Sequence, residues 1–403
     1  MRPGAARFTL EAGKARIHSK RRLRADLTLN ASQQIILPQK NSASTSVSTK
    51  NTGTDRVIAI SSAATLVIRG AAAACPMICF AFFMPEINHD LGFQRVNNPM
   101  FDSAPDPDLP AAATARPQPR ALQQSPEFAR ALMACGQEPL TLDGTLVLRR
   151  RFPGGLKLAM VNRADLSSPA PLMSALRSDG LARTPLILSP ESPAPHLARL
   201  GAVPLATPAH AALWDLTGDA EQRRAALHQK WRNRLKHGEA QNLRLTRQNL
   251  PHDVRHWLFQ ADAAQQTQRG YRSWPIGLTL AYTRENKGQA KLFQAFEGKE
   301  AVAAILILTH GSTATYHIAH TTARGKQLSA HPLLLWEAAN WLAAKGICRL
   351  DLGLINTEDA PGLARFKLGT GAHLHRLGGT WGLWPPLGRL LRPLALLDRQ
   401  QMA

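Results

Sequence analysis

Between Ala301 and Trp381 the chain sets out, in order, a hairpin, a capped helix, a strand closing on Asp351-Leu352-Gly353, and the run Gly362-Leu363-Ala364-Arg365-Phe366-Lys367 followed by Gly369 and Gly371. That succession constrains the fold more than any other part of the sequence. Residues 301–309 are almost wholly apolar, the length and composition of a buried strand. Gly311-Ser312 supplies a tight turn, because glycine accepts the positive φ such turns require. The return strand, 314–320, alternates, which assigns Tyr316, Ile318 and His320 to one face and Thr315, His317 and Ala319 to the other. Ser329 or His331 then stands at an N-cap, with Pro332 in the first turn where its missing N–H is not needed, and Gly346 stops the helix. Free N–H groups at the start of that helix can hold a phosphate or carboxylate. Residues 347–352 read as a short strand, and Phe366-Lys367 falls on the next helix or turn.

The rest of the chain of 403 residues divides by composition. Residues 1–99 are rich in Ser, Thr, Asn and Ala with a basic cluster at Lys20–Arg24 and no sustained period. The apolar stretch 57–84 is interrupted by Arg69, and the uncharged run that remains falls short of the roughly 20 residues a membrane span needs. The segment reads as a dispensable extension, with Met100 as the natural beginning. A proline-rich linker, 100–122, leads to folded material that starts at the cap Ser125-Pro126. The order that follows is helix to Cys135, strands 145–151 and 156–162, helix 169–178, strand 185–189, helix to Gly201 and strand 211–216. This small α/β unit, 123–218, carries no recognisable chemistry.

The second unit, 219–384, is expected to run basic helix 219–238, strand 243–248, helices 251–268 and 276–285, and strands 291–297, 301–309 and 314–320. The helix–strand–helix order described above and final strands within 373–384 then complete it. In the basic helix Leu227, Trp231 and Leu235 recur at helical spacing as a buried stripe. Its crowd of Arg and Lys is either a solvated face or a phosphate-contacting surface. The formal net charge of +21 suits polyanions such as RNA, phosphorylated cofactors or an anionic membrane, or equally the Arg-rich composition of a GC-rich genome, since Ala, Arg, Leu and Pro dominate from Met100 onward. Residues 385–403 form a basic-apolar tail whose Leu and Arg interleave around Pro393, a pattern that can press on an anionic membrane or pack on its own domain. The four cysteines show neither a disulfide framework nor zinc-ligand spacing, which suits reduced thiols in a cytoplasmic protein without a metal.

Taken together, Tyr316-His317-Ile318-Ala319 on a strand, Leu333-Leu334-Leu335-Trp336-Glu337 on a helix, Asp351-Leu352-Gly353, and Gly362 to Lys367 with Gly369 and Gly371 resemble the Fem-type (FemAB-like) branch of the GNAT acyltransferases. The resemblance implies a mixed α/β (α+β) GNAT fold in two tandem halves, the first reduced. It implies an N-acyltransferase that moves an acyl, acetyl or aminoacyl group from an activated donor to an amine. Phe366 and Lys367 match the Phe-Lys pair that in these enzymes belongs to the active site. Lys367 can neutralise an oxyanion or a phosphate, and Phe366 can wall the pocket. The oxyanion donor is expected in the region 317–321. His320 can accept the amine proton, as a strand histidine of otherwise structural role, and Tyr316 faces the pocket.

Arg269, Tyr271 and Arg272, with Glu337, Asp351 and Arg365, are the expected substrate contacts, Asp351 also suiting a turn or an arginine partner. Arg324, Lys326 and Ser329 are the expected cofactor contacts, since the loop 321–331 lacks the glycine pattern with which acetyl-CoA-dependent relatives cradle pyrophosphate. Both acyl-CoA and aminoacyl-tRNA therefore stay open as donors. The long coiled-coil insertion of some tRNA-using Fem proteins is not present in the sequence. The acceptor is expected to be an amine-bearing small molecule or a cell-envelope precursor. The rival reading is a non-catalytic member of the fold that binds RNA or another polyanion.

Overall fold

The structure, a computed structural model, describes residues 119–397 and 402. The expectations for residues 1–99 and for most of the linker lie outside the described residues. Two mixed sheets carry the fold, as the tandem reading requires. The first has the order β1-β2-β3-β4-β13-β5, with β1 Leu140–Leu142, β2 Thr145–Arg151, β3 Lys157–Ala164, β4 Leu186–Pro190, β5 Val203–Ala206 and β13 Thr380–Leu383. The second has the order β12-β6-β11-β10-β9-β8-β7, with β6 His210–Asp215, β7 Arg244–Asn249, β8 Ala290–Glu297, β9 Glu300–His310, β10 Thr313–Thr321, β11 Arg349–Ile355 and β12 His373–Arg376. The sheets exchange strands. β6 pairs with β11 and β12 in the second sheet, whereas β13, from the far end of the chain, pairs with β4 and β5 in the first.

β9 is the spine of the second sheet and explains its own sequence. Ile305 and Ile307 enter the core on one face, Leu306 and Leu308 the core on the other, and all four are fully buried. A strand covered on both faces reads as a continuous apolar run, which is why 301–309 carries no alternation. Each of these side chains contributes about 1.5–3 kcal/mol by leaving water. On the first face lie α4 (Gln229–Glu239) and α8 (Ala330–Ala344), joined through Trp231, Leu235, Leu334 and Leu335. On the second lie α1 (Pro126–Ala134), α5 (Trp257–Arg269) and α6 (Ile276–Glu285). There Leu148 and Met160 of the first sheet share one core with Leu292 and Leu306 of the second. A third core, under α2 (Ala170–Ser178), belongs to the first sheet.

Three expectations are corrected. The basic helix is two helices, α3 (Ala220–Ala226) and α4, broken at Leu227-His228; there the His228 amide donates to Gly369 O and the His228 ring accepts from Lys230 N, capping α4. The helix expected from 251 begins only at Trp257, because Asp253 closes a local turn on the Arg255 amide and His256 caps the helix through its ring. The helix expected before Gly201 is a six-residue 3₁₀ segment, Pro195–Leu200. Gly346 stops α8 as expected: its φ of 78° lets the Ile347 amide return to Leu342 O. Among the described residues no helix is long and apolar enough to cross a membrane.

Candidate functional site

β10 and β11 run parallel but pair only through Thr313, Ala314 and Thr315 opposite Arg349, Leu350 and Asp351. Beyond that register the two strands part, β10 staying with β9 to Thr321 and β11 staying with β6 to Ile355. Both strands are irregular where they part. On β10 the register against β9 slips between Tyr316 and Ile318, so His317 is an extra residue. On β11 the register against β6 slips between Asp351 and Leu354, at Gly353 with its φ of 78°. A bulge on each strand bends them away from one another and leaves a wedge with open backbone edges.

The β10 bulge overturns the expected faces. Strict alternation puts Tyr316, Ile318 and His320 together, but one extra residue reverses the phase. Tyr316 and Ala319 pack into the core beneath α8, whereas Ile318 joins the opposite core. His317 turns to that opposite face, with its Nε2 3.0 Å from Thr279 Oγ1 and its ring against Trp274. His320 meets the ring of Trp257 at 6.2 Å.

Tyr316 finds a partner that sequence reasoning did not assign to the site. Its hydroxyl lies 2.8 Å from Nε2 of His331, in the first turn of α8. Burial drives the Tyr316 phenol well above its ordinary value, so it stays protonated. Burial, then the nearby His320, pulls His331 down to about 4, so it stays neutral. Nδ1 of His331 is buried with no hydrogen-bond partner among the described residues. The His331 ring faces Phe366 at 5.3 Å, and Phe366 lies 6.1 Å from Trp231, which stays in the core as its helical spacing requires. No sequence period could have joined His331 to Tyr316, since they meet only through the bulge and the packing of α8.

Lys367 is buried at 7% exposure on α9 (Pro361–Leu368), and its Nζ donates to Leu354 O at 2.8 Å. It therefore sits on the bulged end of β11, at one wall of the wedge, and a Cβ added to Gly353 would lie 3.6 Å from Nζ. Asp351 holds the same bulge from the other side. One oxygen accepts from the Gly353 amide at 2.7 Å, and the other accepts from Arg163 of β3 at 3.1 Å. Arg163 also forms a bidentate pair with Glu191, its charge strongly favoured by both carboxylates against the cost of burial. The first sheet thus grips the strand that positions Lys367.

The remaining expected residues lie nearer the surface. Tyr271 is partly exposed and its hydroxyl joins Asp262 at 3.1 Å and Gln265 at 2.8 Å, while Arg269 and Arg272 beside it are exposed. Burial, then Lys326 and Arg269, lowers His320, so the end of β10 faces a basic rim. Arg324 is held by Glu297 in a bidentate pair, and Lys326 is exposed. Ser329 is buried with a φ of 52° and points its hydroxyl at His237 at 3.2 Å, leaving the start of α8 without a side-chain cap. Glu337 and Arg365 are exposed, on α8 and α9. Two of the basic residues before the sheet are structural: Arg224 pairs with Glu239, and the buried Arg223 donates to Leu216 O and Asn340.

Residues 222–368 match the Acetyltransferase (GNAT) domain family. The fold is similar to that of FemX, which superposes with a TM-score of 0.55 at 13% identity over 68% of this chain and 94% of that one. L-PGS from Bacillus licheniformis aligns with a TM-score of 0.43 at 12% identity over 68% of this chain and 94% of that one. No curated protein matches the sequence. Residues 222–368 thus resemble a GNAT domain, within a chain whose fold is similar to that of FemX.

Proposed function

We propose that the chain is an N-acyltransferase whose acyl group is transferred to an amine in the wedge between β10 and β11. The observation that carries this reading is the Tyr316–His331 pair standing beside the β10 bulge, with Lys367 at the wall opposite. In the reaction a C–N bond forms, the C–S bond of a thioester or C–O bond of an aminoacyl ester breaks, and one proton moves from the amine to the leaving group. The phenol and the neutral imidazole suit that transfer. The amine proton passes to the Tyr316 oxygen as the phenol hands its own to Nε2 of His331; burial makes the imidazolium unfavourable, so the proton returns by the same route to the leaving sulfur or oxygen. In this reading the N–H groups of 317–321 that β9 does not use, together with Lys367, stabilise the oxyanion. Phe366 walls the pocket through its contact with His331.

Two donors suit the basic rim of Arg269, Arg272 and Lys326: acyl-CoA and aminoacyl-tRNA. Calorimetric titration of the full chain with acetyl-CoA, uncharged tRNA and charged tRNA at low and high salt separates them. Saturable, salt-tolerant binding of acetyl-CoA supports the thioester donor, and tight charged-tRNA binding without acetyl-CoA binding supports the ester. RNA binding that does not distinguish charged from uncharged tRNA, with no donor consumed, contradicts the enzyme and supports the non-catalytic reading.

A further inference from the structure

We infer that the C-terminal helix and the hollow beside it form a docking surface for an anionic phospholipid bilayer. The helix α10 (Gly388–Leu397) sits on the first sheet, whereas the candidate site lies in the second, and the inference is independent of the acyl-transfer reading. Its inner stripe is small: Ala395 is buried, and a Cβ added to Gly388 would come within 2.6 Å of Leu200 O. That close approach presses one face of the helix onto the 3₁₀ segment Pro195–Leu200 and leaves the other without a partner among the described residues. On the outward face Leu390 is 77% exposed and Leu394 51%, and Leu396 on the flank is 42% exposed, a cluster of apolar side chains offered to water.

The surroundings of that face say what covers it. Trp384, 44% exposed, is pinned at the head of the helix by its indole N–H to Arg183 O, an amphipathic ring placed where a bilayer interface favours one. Beside it an apolar hollow of about 190 Å³, lined by Met173, Leu176, Leu181, Leu186 and Leu383, shares Leu200 with the seat of the helix. Arg177, Arg183, Arg199, Arg389 and Arg392 are exposed on the same elements, and the helix itself carries no acidic residue. Exposed leucines among arginines, with a tryptophan at the edge and a hydrocarbon-lined hollow, match a surface of acyl chains beneath anionic headgroups.

Co-sedimentation of the full chain with vesicles of phosphatidylcholine alone, and of phosphatidylcholine mixed equally with phosphatidylglycerol, tests the assignment. Binding is expected to the mixed vesicles and not to the neutral ones. Leu390→Ser with Leu394→Ser is expected to weaken it at least roughly tenfold through lost apolar burial. Arg389→Gln with Arg392→Gln is expected to weaken it by about fivefold per residue. All four side chains are exposed, so an unchanged unfolding midpoint separates lost binding from lost fold. Three results overturn the inference: no vesicle binding, vesicle binding that the leucine pair leaves untouched, or a concentration-dependent dimer abolished by the same leucine pair.

Discussion

Lys367 is the residue on which a structural and a chemical role divide most cleanly. A lysine on a helix is ordinarily exposed, yet this one is buried and ends on a backbone carbonyl at the β11 bulge. Replacing it with methionine keeps its length and leaves Leu354 O short of a donor, which costs about 1–3 kcal/mol of stability. If Lys367 also stabilises charge that develops during transfer, turnover falls by about 10²–10³, well beyond what partial unfolding explains. Denaturant unfolding beside turnover of Lys367→Met reads both. A loss of activity no larger than the loss of folded protein removes the chemical role.

The elements show what the sequence could and could not disclose. The apolar run of β9, the Gly311 turn and the stop at Gly346 were legible because each is local: burial on both faces, a positive φ, a helix end. The faces of β10 were not, because a bulge adds one residue without altering the composition on either side of it. A close element contact is equally invisible. α7 (Ala323–Gln327) lies against β9 so tightly that a Cβ on Gly325 would stand 2.2 Å from Val302 O and 2.8 Å from Thr321 Oγ1. Gly325→Ala must therefore push α7 away from the end of β10 and is expected to cost about 2–4 kcal/mol. A shift in the urea midpoint measures it, and an unchanged midpoint contradicts the packing of α7.

At the scale of the molecule the two sheets are joined by charge as well as by apolar core. Arg163 and Asp351 are 188 residues apart in sequence, a distance over which no pattern in one chain reveals a contact. Arg163→Ala strands the buried carboxylate of Asp351 and is expected to cost about 3–5 kcal/mol in chemical denaturation, with Arg163→Lys recovering only part because it lacks the bidentate fork. Imidazoles withdrawn from water, His310 fully and His317 and His331 in part, set the response to acid. His317 and His331 are held near 4 and His310 near 3, chiefly by burial, against an ordinary value of 6.5. Unfolding frees them to take up protons below 6.5. Their neutral state is therefore without penalty above 6.5, and stability is lost as pH falls from 6.5 toward 4, each group contributing up to about 1.4 kcal/mol per pH unit. Urea midpoints at pH 7 and pH 5 test this, a flat profile being inconsistent with three neutral histidines, one buried and two half-buried.

The central claim is that the wedge beside Tyr316 and His331 moves acyl groups, and it can be tested before the natural acceptor is known. Hydroxylamine is a small general amine nucleophile, and transfer to it from acetyl-CoA or from charged tRNA yields a hydroxamate that is measured directly. The wild-type full chain is predicted to form hydroxamate from one of the two donors above the rate without protein, and Tyr316→Phe to lose about 10²–10⁴ of that rate, well beyond what the loss of about 1–3 kcal/mol with its hydrogen bond to His331 explains. Hydroxamate from neither donor, or an equal rate from Tyr316→Phe, would contradict the account.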